Sequence, residues 1–230
     1  MTPASNTDIS GVLFDLDGTL VDTAPDFIHC VNLLRVEHGL PTLKESEIRK
    51  VVSDGARAMI KLAINMDPDH VDFPRTRQHF LDLYEQKIAD HSALFEGFEA
   101  LLNDLSNANI PWGVVTNKPR HYAVLLLDKL GWLDKMQTLV CPDDVTRAKP
   151  DPEPMLLACS QLNLDPRRCL YIGDHERDIQ AGKNANMPTV AAGYGYVHHP
   201  DEAYEWQADH TFSSALELST WLKTILIKAT

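Results

Sequence analysis

Five short apolar runs, interleaved with helical patterns, constrain the fold of this chain more than any other feature. The runs are "ISGVLFD", "IPWGVVT", "QTLVC", "CLYIGD" and "MPTVAA". Each has the length and the β-branched or aromatic content of a buried strand. After the first, Pro25 opens a helix with Phe27, Ile28, Val31 and Leu34 on one face and Gly39 as its stop. Further helices are expected at 98–107, 120–130, 154–162, 176–185 and 216–227. Strand–helix alternation implies parallel strands joined by right-handed crossovers. The expected fold is therefore α/β, a doubly wound, Rossmann-like parallel sheet.

One stretch breaks the alternation. Between 24 and 93 the patterns are helical throughout, with segments at 45–52, 56–65 and 72–91 following the first helix. This predicts a core formed by residues 1–23 and 94–230, and an all-helical cap inserted at 24–93. A chain of 230 residues can bury such a core and a smaller insert. Its 44% apolar and 23% charged content are those of a soluble globular protein. No apolar stretch reaches the ~20 residues that span a bilayer, and "MTPASNTDIS" has neither the basic nor the apolar region of a secretory signal. Cys30, Cys141, Cys159 and Cys169 show no CxxC or zinc spacing and read as reduced, mostly buried thiols. A cytoplasmic protein without membrane contact is expected, as a monomer or homodimer. The net charge of −12 argues against nucleic acid. An anionic ligand would need positive charge gathered locally.

In doubly wound sheets the ligand crevice lies beyond the carboxyl ends of the strands. The first strand ends in "FDLDGT", so Asp15 and Asp17, two positions apart, point to the same side. The strand in "WGVVTN" ends at Thr116 and Asn117, and Lys149 stands in "RAKPDPEP". "LYIGD" ends at Asp174, with Asp178 one helical turn further on. Each of these alone is commonplace; together they describe one rim. Asp15, Asp174 and a main-chain carbonyl are hard oxygen donors suited to Mg²⁺. Clustered carboxylates without a cation would raise one another's pKa. Thr116, the amides beside Asn117, and Lys149 supply donors and fixed charge for a phosphate. One carboxylate can attack phosphorus while a second handles protons.

With "DLDGT", Thr116, Lys149 and "GDHERD" in this order, the chain resembles the haloacid dehalogenase (HAD) superfamily. It is most similar to the phosphatase branch with a helical cap, the phosphoglycolate phosphatase-like enzymes, and the resemblance covers essentially the whole chain. The resemblance implies that Asp15 is nucleophile and metal ligand. It makes Asp17 the general acid/base, with its carbonyl on the metal. Thr116, Asn117 and Lys149 would bind the phosphoryl group, Asp174 the metal, and Asp178 would support the metal site. His175 departs from the pattern, because many relatives carry an acid there. The presence of Asp17 favours phosphate transfer over dehalogenation.

The resemblance also implies a small anionic phosphate ester as substrate. "DGARAM", "HSALFEG", "KPDPEP" and "YGY" are similar to the bacterial branch acting on N-acetylmuramic acid 6-phosphate in peptidoglycan recycling, with 2-phosphoglycolate as the alternative. In the cap, Ser53, Gly55 and Arg57 form a turn and helix start expected to hold the substrate's anionic group. Lys118 and Arg120, after the phosphate turn, are expected to add charge. Tyr194 and Tyr196 read as a rigid loop at the rim without assigned chemistry, the His198-His199 pair as a solvated loop, and Trp132, Trp206 and Trp221 as packing.

Overall fold

The computed structural model describes residues 9–227, so the expected absence of a leader rests on residues that mostly lie outside it. The chain opens with strand β1 (Gly11–Phe14) and a two-residue strand β2 (Val21–Asp22). Helices α1 (Ala24–Glu37), α2 (Glu45–Arg49), α3 (Gly55–Ile64) and α4 (Phe73–Lys87) follow, and β3 (Ala93–Leu94) closes the excursion. Then come α5 (Phe98–Asn107), β4 (Trp112–Val115), α6 (Arg120–Lys129), β5 (Thr138–Val140) and α7 (Glu153–Gln161). The chain ends with β6 (Cys169–Gly173), α8 (Glu176–Asn184), β7 (Thr189–Ala192), α9 (Glu202–Glu205), β8 (His210–Phe212) and α10 (Ala215–Leu226).

Six strands form one parallel sheet in the order β5-β4-β1-β6-β7-β8. The chain runs outward from β1 through β4 to β5, then crosses back to β6 on the other side. The switch point therefore falls at β1, and the carboxyl ends of β4, β1 and β6 meet there. β1 is buried at every position, since helices cover both faces of the sheet. Phe14 packs edge-on against Phe98 of α5 at 5.6 Å. On the opposite face Leu13, Val115, Met155 and Tyr171 form a second cluster.

Besides the short β2–β3 pair, the helix α9 and the end of α2 at Arg49 rather than at residue 52, two features depart from the expected pattern. The edge strand β8 is short, polar and half exposed, so it lacks the apolar run that marks the others. The helix expected at 72–91 stops at Lys87, because Ile88 is extended and Ala89 has φ +65°. The freed residues 88–92 return the chain to the sheet. There the buried carboxylate of Asp26, near the start of α1, accepts His91 N–H and Ser92 Oγ–H. With the antiparallel β2–β3 pair, this ties the outgoing and returning chains together. Within the insert, Phe27 of α1 stacks on Tyr84 of α4 at 4.0 Å and 9°.

Candidate active site

The loops after β1, β4 and β6 bring Asp15, Thr116 and Asp174 to one crevice. Lys149 reaches it from the segment before α7, and Asp178 from the first turn of α8. Oxygens of Asp15, Asp174 and Asp178 lie within 4.8 Å of one another, all three residues buried. Lys149 Nζ sits 2.7 Å from Asp15 Oδ1 and 2.7 Å from Asp178 Oδ1, with Tyr171 Oη and the Val115 carbonyl at 2.9 and 3.0 Å. Its side chain is 1% exposed. Asp174 accepts Thr19 Oγ–H on Oδ1, and Ser53 Oγ–H and Tyr196 N–H on Oδ2.

This cluster is electrically incomplete. Three carboxylates face one ammonium, which leaves two negative charges uncompensated. Burial pushes Asp174 well above the usual carboxylate range, and the charges of Asp15 and Asp178 push the same way. Asp15 is also raised, because burial and Asp178 outweigh Lys149. Burial works against the Lys149 ammonium, but Asp15 and Asp178 hold its pKa above the ordinary value. Asp178 Oδ2 is buried and accepts no hydrogen bond. Buried, hard carboxylate oxygens, one of them orphaned, that when ionised carry two surplus charges are what a divalent cation satisfies.

Asp17 stands apart from the cluster. Its Oδ1 accepts Thr23 Oγ–H at 2.7 Å and Lys118 Nζ–H at 2.9 Å. Asn117 is engaged within the fold by its side chain, which exchanges hydrogen bonds with the Lys149 main chain, Nδ2 to the carbonyl and the Lys149 N–H to Oδ1. It therefore fixes the lysine loop, and only its own N–H, which donates to no described residue, is left for an anion. Thr116 Oγ accepts the Lys118 N–H and keeps its own proton for another acceptor.

A cleft of about 260 Å³ opens over these groups. Asp15, Asp17, Thr116 and Lys149 line its floor, and Ser53, Gly55, Met59, Arg77, Leu81 and Tyr84 from the insert line its roof. Arg57 is exposed and does not line it. Ala56 and Met59 share the face turned to the cleft, and Arg57 lies about 100° round the helix from Ala56. Arg120 is also removed from the cleft: its main chain and guanidinium are held by Asp143 and Asp144. The arginines that do line it are Arg77, which has no acidic partner among the described residues, and Arg177, which donates to the Ser53 carbonyl. Residues 77, 81 and 84 are spaced i, i+4, i+7, a signal legible in the sequence and not read there.

His175 does not face the acids. Its Nδ1 accepts Arg177 N–H, capping α8, while its ring stacks near Trp206 and its Nε2 lies 3.7 Å from Asp54 of the insert. The neighbouring His175 ring holds the Asp54 carboxyl below its ordinary value, against the effect of burial. Tyr196, which carried no assigned chemistry, is central: its N–H holds Asp174, and its hydroxyl binds Asp22 and the Thr23 and Ala24 amides. Gly195 before it lies so close that a Cβ would meet Asp174 at 2.3 Å and the Gly18 carbonyl at 2.5 Å. The four cysteines are free and buried, as expected, and His198 and His199 are exposed.

Comparison with known proteins agrees with this geometry. Residues 12–192 match the family model of haloacid dehalogenase-like hydrolases. N-acetylmuramic acid 6-phosphate phosphatase of Pseudomonas aeruginosa is 49% identical over 87% of this chain and 89% of its own length. Phosphoglycolate phosphatase of Xanthomonas campestris is 42% identical over 86% of this chain and 89% of its own length. A HAD family hydrolase of Deinococcus radiodurans, whose crystal structure holds phosphate and sodium, superposes with a TM-score of 0.74 at 26% identity, covering 97% and 100% of the two chains. The chain belongs to the haloacid dehalogenase-like hydrolases. Within them it is a phosphatase, a phosphoric monoester hydrolase. No helix among the described residues is long and apolar enough to cross a membrane.

Proposed function

We propose that the protein is a Mg²⁺-dependent phosphomonoesterase that works through an aspartyl-phosphate and hydrolyses N-acetylmuramic acid 6-phosphate in the cytoplasm, releasing N-acetylmuramic acid for peptidoglycan recycling. The observation that carries the chemistry is the buried cluster of Asp15, Asp174 and Asp178 with Lys149 as its only ammonium among the described residues. Asp15, Asp174 and the Asp17 carbonyl would hold Mg²⁺, with Asp178 in support. When bound, the ion neutralises the cluster and draws charge from the phosphoryl oxygens.

The residues divide the remaining work. The ester's phosphoryl group binds between Thr116 Oγ, the Asn117 N–H and the Lys149 ammonium, so that a carboxylate oxygen of Asp15 faces phosphorus. Lys149 also favours the ionised form of Asp15, in opposition to burial. Asp15 attacks phosphorus, the bond to the sugar oxygen breaks, and Asp17 gives that oxygen a proton. Asp17, now a carboxylate, takes a proton from water, which attacks the aspartyl-phosphate, releases phosphate and restores Asp15. The inserted helices 24–93 act as a cap that keeps bulk water from the intermediate.

The substrate is inferred from the 49% identical relative of that name. It is supported by Arg77, which has no acidic partner among the described residues and lines the cleft beside apolar residues of the insert, suited to a lactyl carboxylate carried on a sugar. Relatives named phosphoglycolate phosphatase favour a second reading, with 2-phosphoglycolate as substrate. The two are separated by kcat/KM for both esters under Mg²⁺. A preference of about a hundredfold for the sugar phosphate, worth about 2.7 kcal/mol of transition-state binding, supports the first reading, and the reverse preference supports the second.

A further inference from the structure

We propose that Lys118 is a positioning residue, which fixes the orientation of the Asp17 carboxyl and takes its own position from Tyr84 on the inserted helices. The inference rests on the reading of Asp17 as the proton donor to the leaving group. It replaces the expectation that Lys118 grips the substrate.

Lys118 has a side chain only 5% exposed. Its Nζ donates to Asp17 Oδ1 at 2.9 Å and to Tyr84 Oη at 2.8 Å. Since Thr23 Oγ–H also donates to Oδ1, two donors from different directions hold one oxygen of the carboxyl. The other, Oδ2, accepts from no described residue, and Asp17 lines the cleft. Locking Oδ1 therefore assigns Oδ2 to the leaving group. Carboxyl rotation is otherwise a soft torsion, and a proton donor that rotates freely spends much of its time misdirected.

The lysine is itself tightly confined. Its ammonium lies 5.0 Å from the Phe27 ring centroid and 4.7 Å from that of Tyr84, two rings stacked on each other. Cation–π attraction and two of its three N–H bonds are thereby committed. The origin of these partners matters. Asp17 and Lys118 sit on loops of the sheet, whereas Phe27 and Tyr84 belong to α1 and α4 of the insert. The hold on Asp17 is complete only with the insert seated on the sheet, which ties alignment of the proton donor to closure over the substrate.

The test uses the full-length enzyme with Mg²⁺ and two esters of similar shape: p-nitrophenyl phosphate, whose leaving group needs little protonation, and phenyl phosphate, whose leaving group needs more. Lys118→Met keeps the aliphatic stem and removes the ammonium. It is expected to lower kcat on phenyl phosphate about tenfold while changing p-nitrophenyl phosphate by under about threefold, with KM nearly constant. Tyr84→Phe, which removes one oxygen, should give a smaller loss with the same selectivity and add nothing to Lys118→Met. Melting temperatures establish that each variant is folded. Equal losses on both esters, a rise in KM, or additive effects of the two substitutions overturn the proposal. Asp17→Asn on the same esters separates the two readings. If it is selective and Lys118→Met is not, only the positioning role fails. If Asp17→Asn shows no selectivity, the proton-donor reading falls and the positioning role with it.

Discussion

Metal should stabilise this protein strongly at alkaline pH and hardly at all in acid, and the reason lies in Asp174 and Asp15. Both carboxyls are raised above the ordinary value of 3.8, Asp174 by burial and then by Asp15 and Asp178, Asp15 by burial against the pull of Lys149. The folded, metal-free protein keeps protons there at pH values where the unfolded chain has released them. Its stability from these groups is full below the unfolded value and falls as pH rises through the folded ones. A bound divalent cation reverses the penalty by replacing the protons. At about a hundred times its dissociation constant, Mg²⁺ adds about 2.7 kcal/mol, which for a chain of this length is a rise of roughly 5–10 °C in Tm. The assay is thermal unfolding in EDTA and in excess Mg²⁺, from pH 4.5 to 8.5. Comparing the two at each pH cancels every group remote from the site. The expected Mg²⁺ shift grows from near zero in acid to its full size at alkaline pH, and Asp174→Asn abolishes it. A shift of equal size at both ends, or one that survives Asp174→Asn, refutes the assignment of this cluster to the metal.

Three further outcomes follow from the same geometry. Asp15→Asn should remove phosphate release altogether while leaving Tm in EDTA unchanged or higher, since it deletes a buried like charge; steady-state turnover and calorimetry check both. Lys149→Met leaves Asp15 and Asp178 facing each other without their counter-charge, and breaking a buried pair of this kind costs about 3–5 kcal/mol. Denaturant unfolding should show that loss in Lys149→Met, and Asp178→Asn in the same background should recover part of it. Arg77→Gln should raise KM for N-acetylmuramic acid 6-phosphate about tenfold and leave p-nitrophenyl phosphate within about twofold, if Arg77 meets the lactyl carboxylate.

The strand ends were legible because the chemistry is written in contiguous letters. An apolar run followed by Asp-x-Asp-Gly-Thr, or by Gly-Asp, specifies both the strand and what it carries, and the alternation of strands with helices specifies parallel strands whose carboxyl ends carry the site. The structure accordingly brings Asp15, Asp17, Thr116, Lys149, Asp174 and Asp178 into one crevice. Partnership was not legible, since it depends on distances between residues far apart in the chain. The Asn117 side chain looks free to meet a phosphate until its amide is found on the Lys149 main chain, 32 residues away, which leaves only its N–H for an anion. Arg120 looks available until Asp144 takes it. Tyr171 and Tyr196 lie within recognisable stretches, but the role of each becomes clear only when its hydroxyl is seen on Lys149 or at the start of the insert.

The same distinction explains why the insert was the least readable part. A sheet places its functional residues at strand ends by topology, so position alone suffices. A helix presents them by phase, and a shift of one residue turns a side chain about 100°. Arg57 stands next to Ala56, which does line the cleft, yet it points to solvent. Arg77 lies twenty residues further on and shares a face with Leu81 and Tyr84. The contacts that join the insert to the acids are equally dispersed: Ser53 on Asp174, Asp54 beside His175, and Tyr84 on Lys118. Each pairs a residue of the insert with one on or beside a sheet loop that carries an acid. His175 illustrates the consequence. Measured against the family pattern it is a missing acid at the metal, but its Nδ1 caps α8 and its far nitrogen faces Asp54. The imidazole therefore lies at the seam between insert and sheet, beside Asp54 and Trp206.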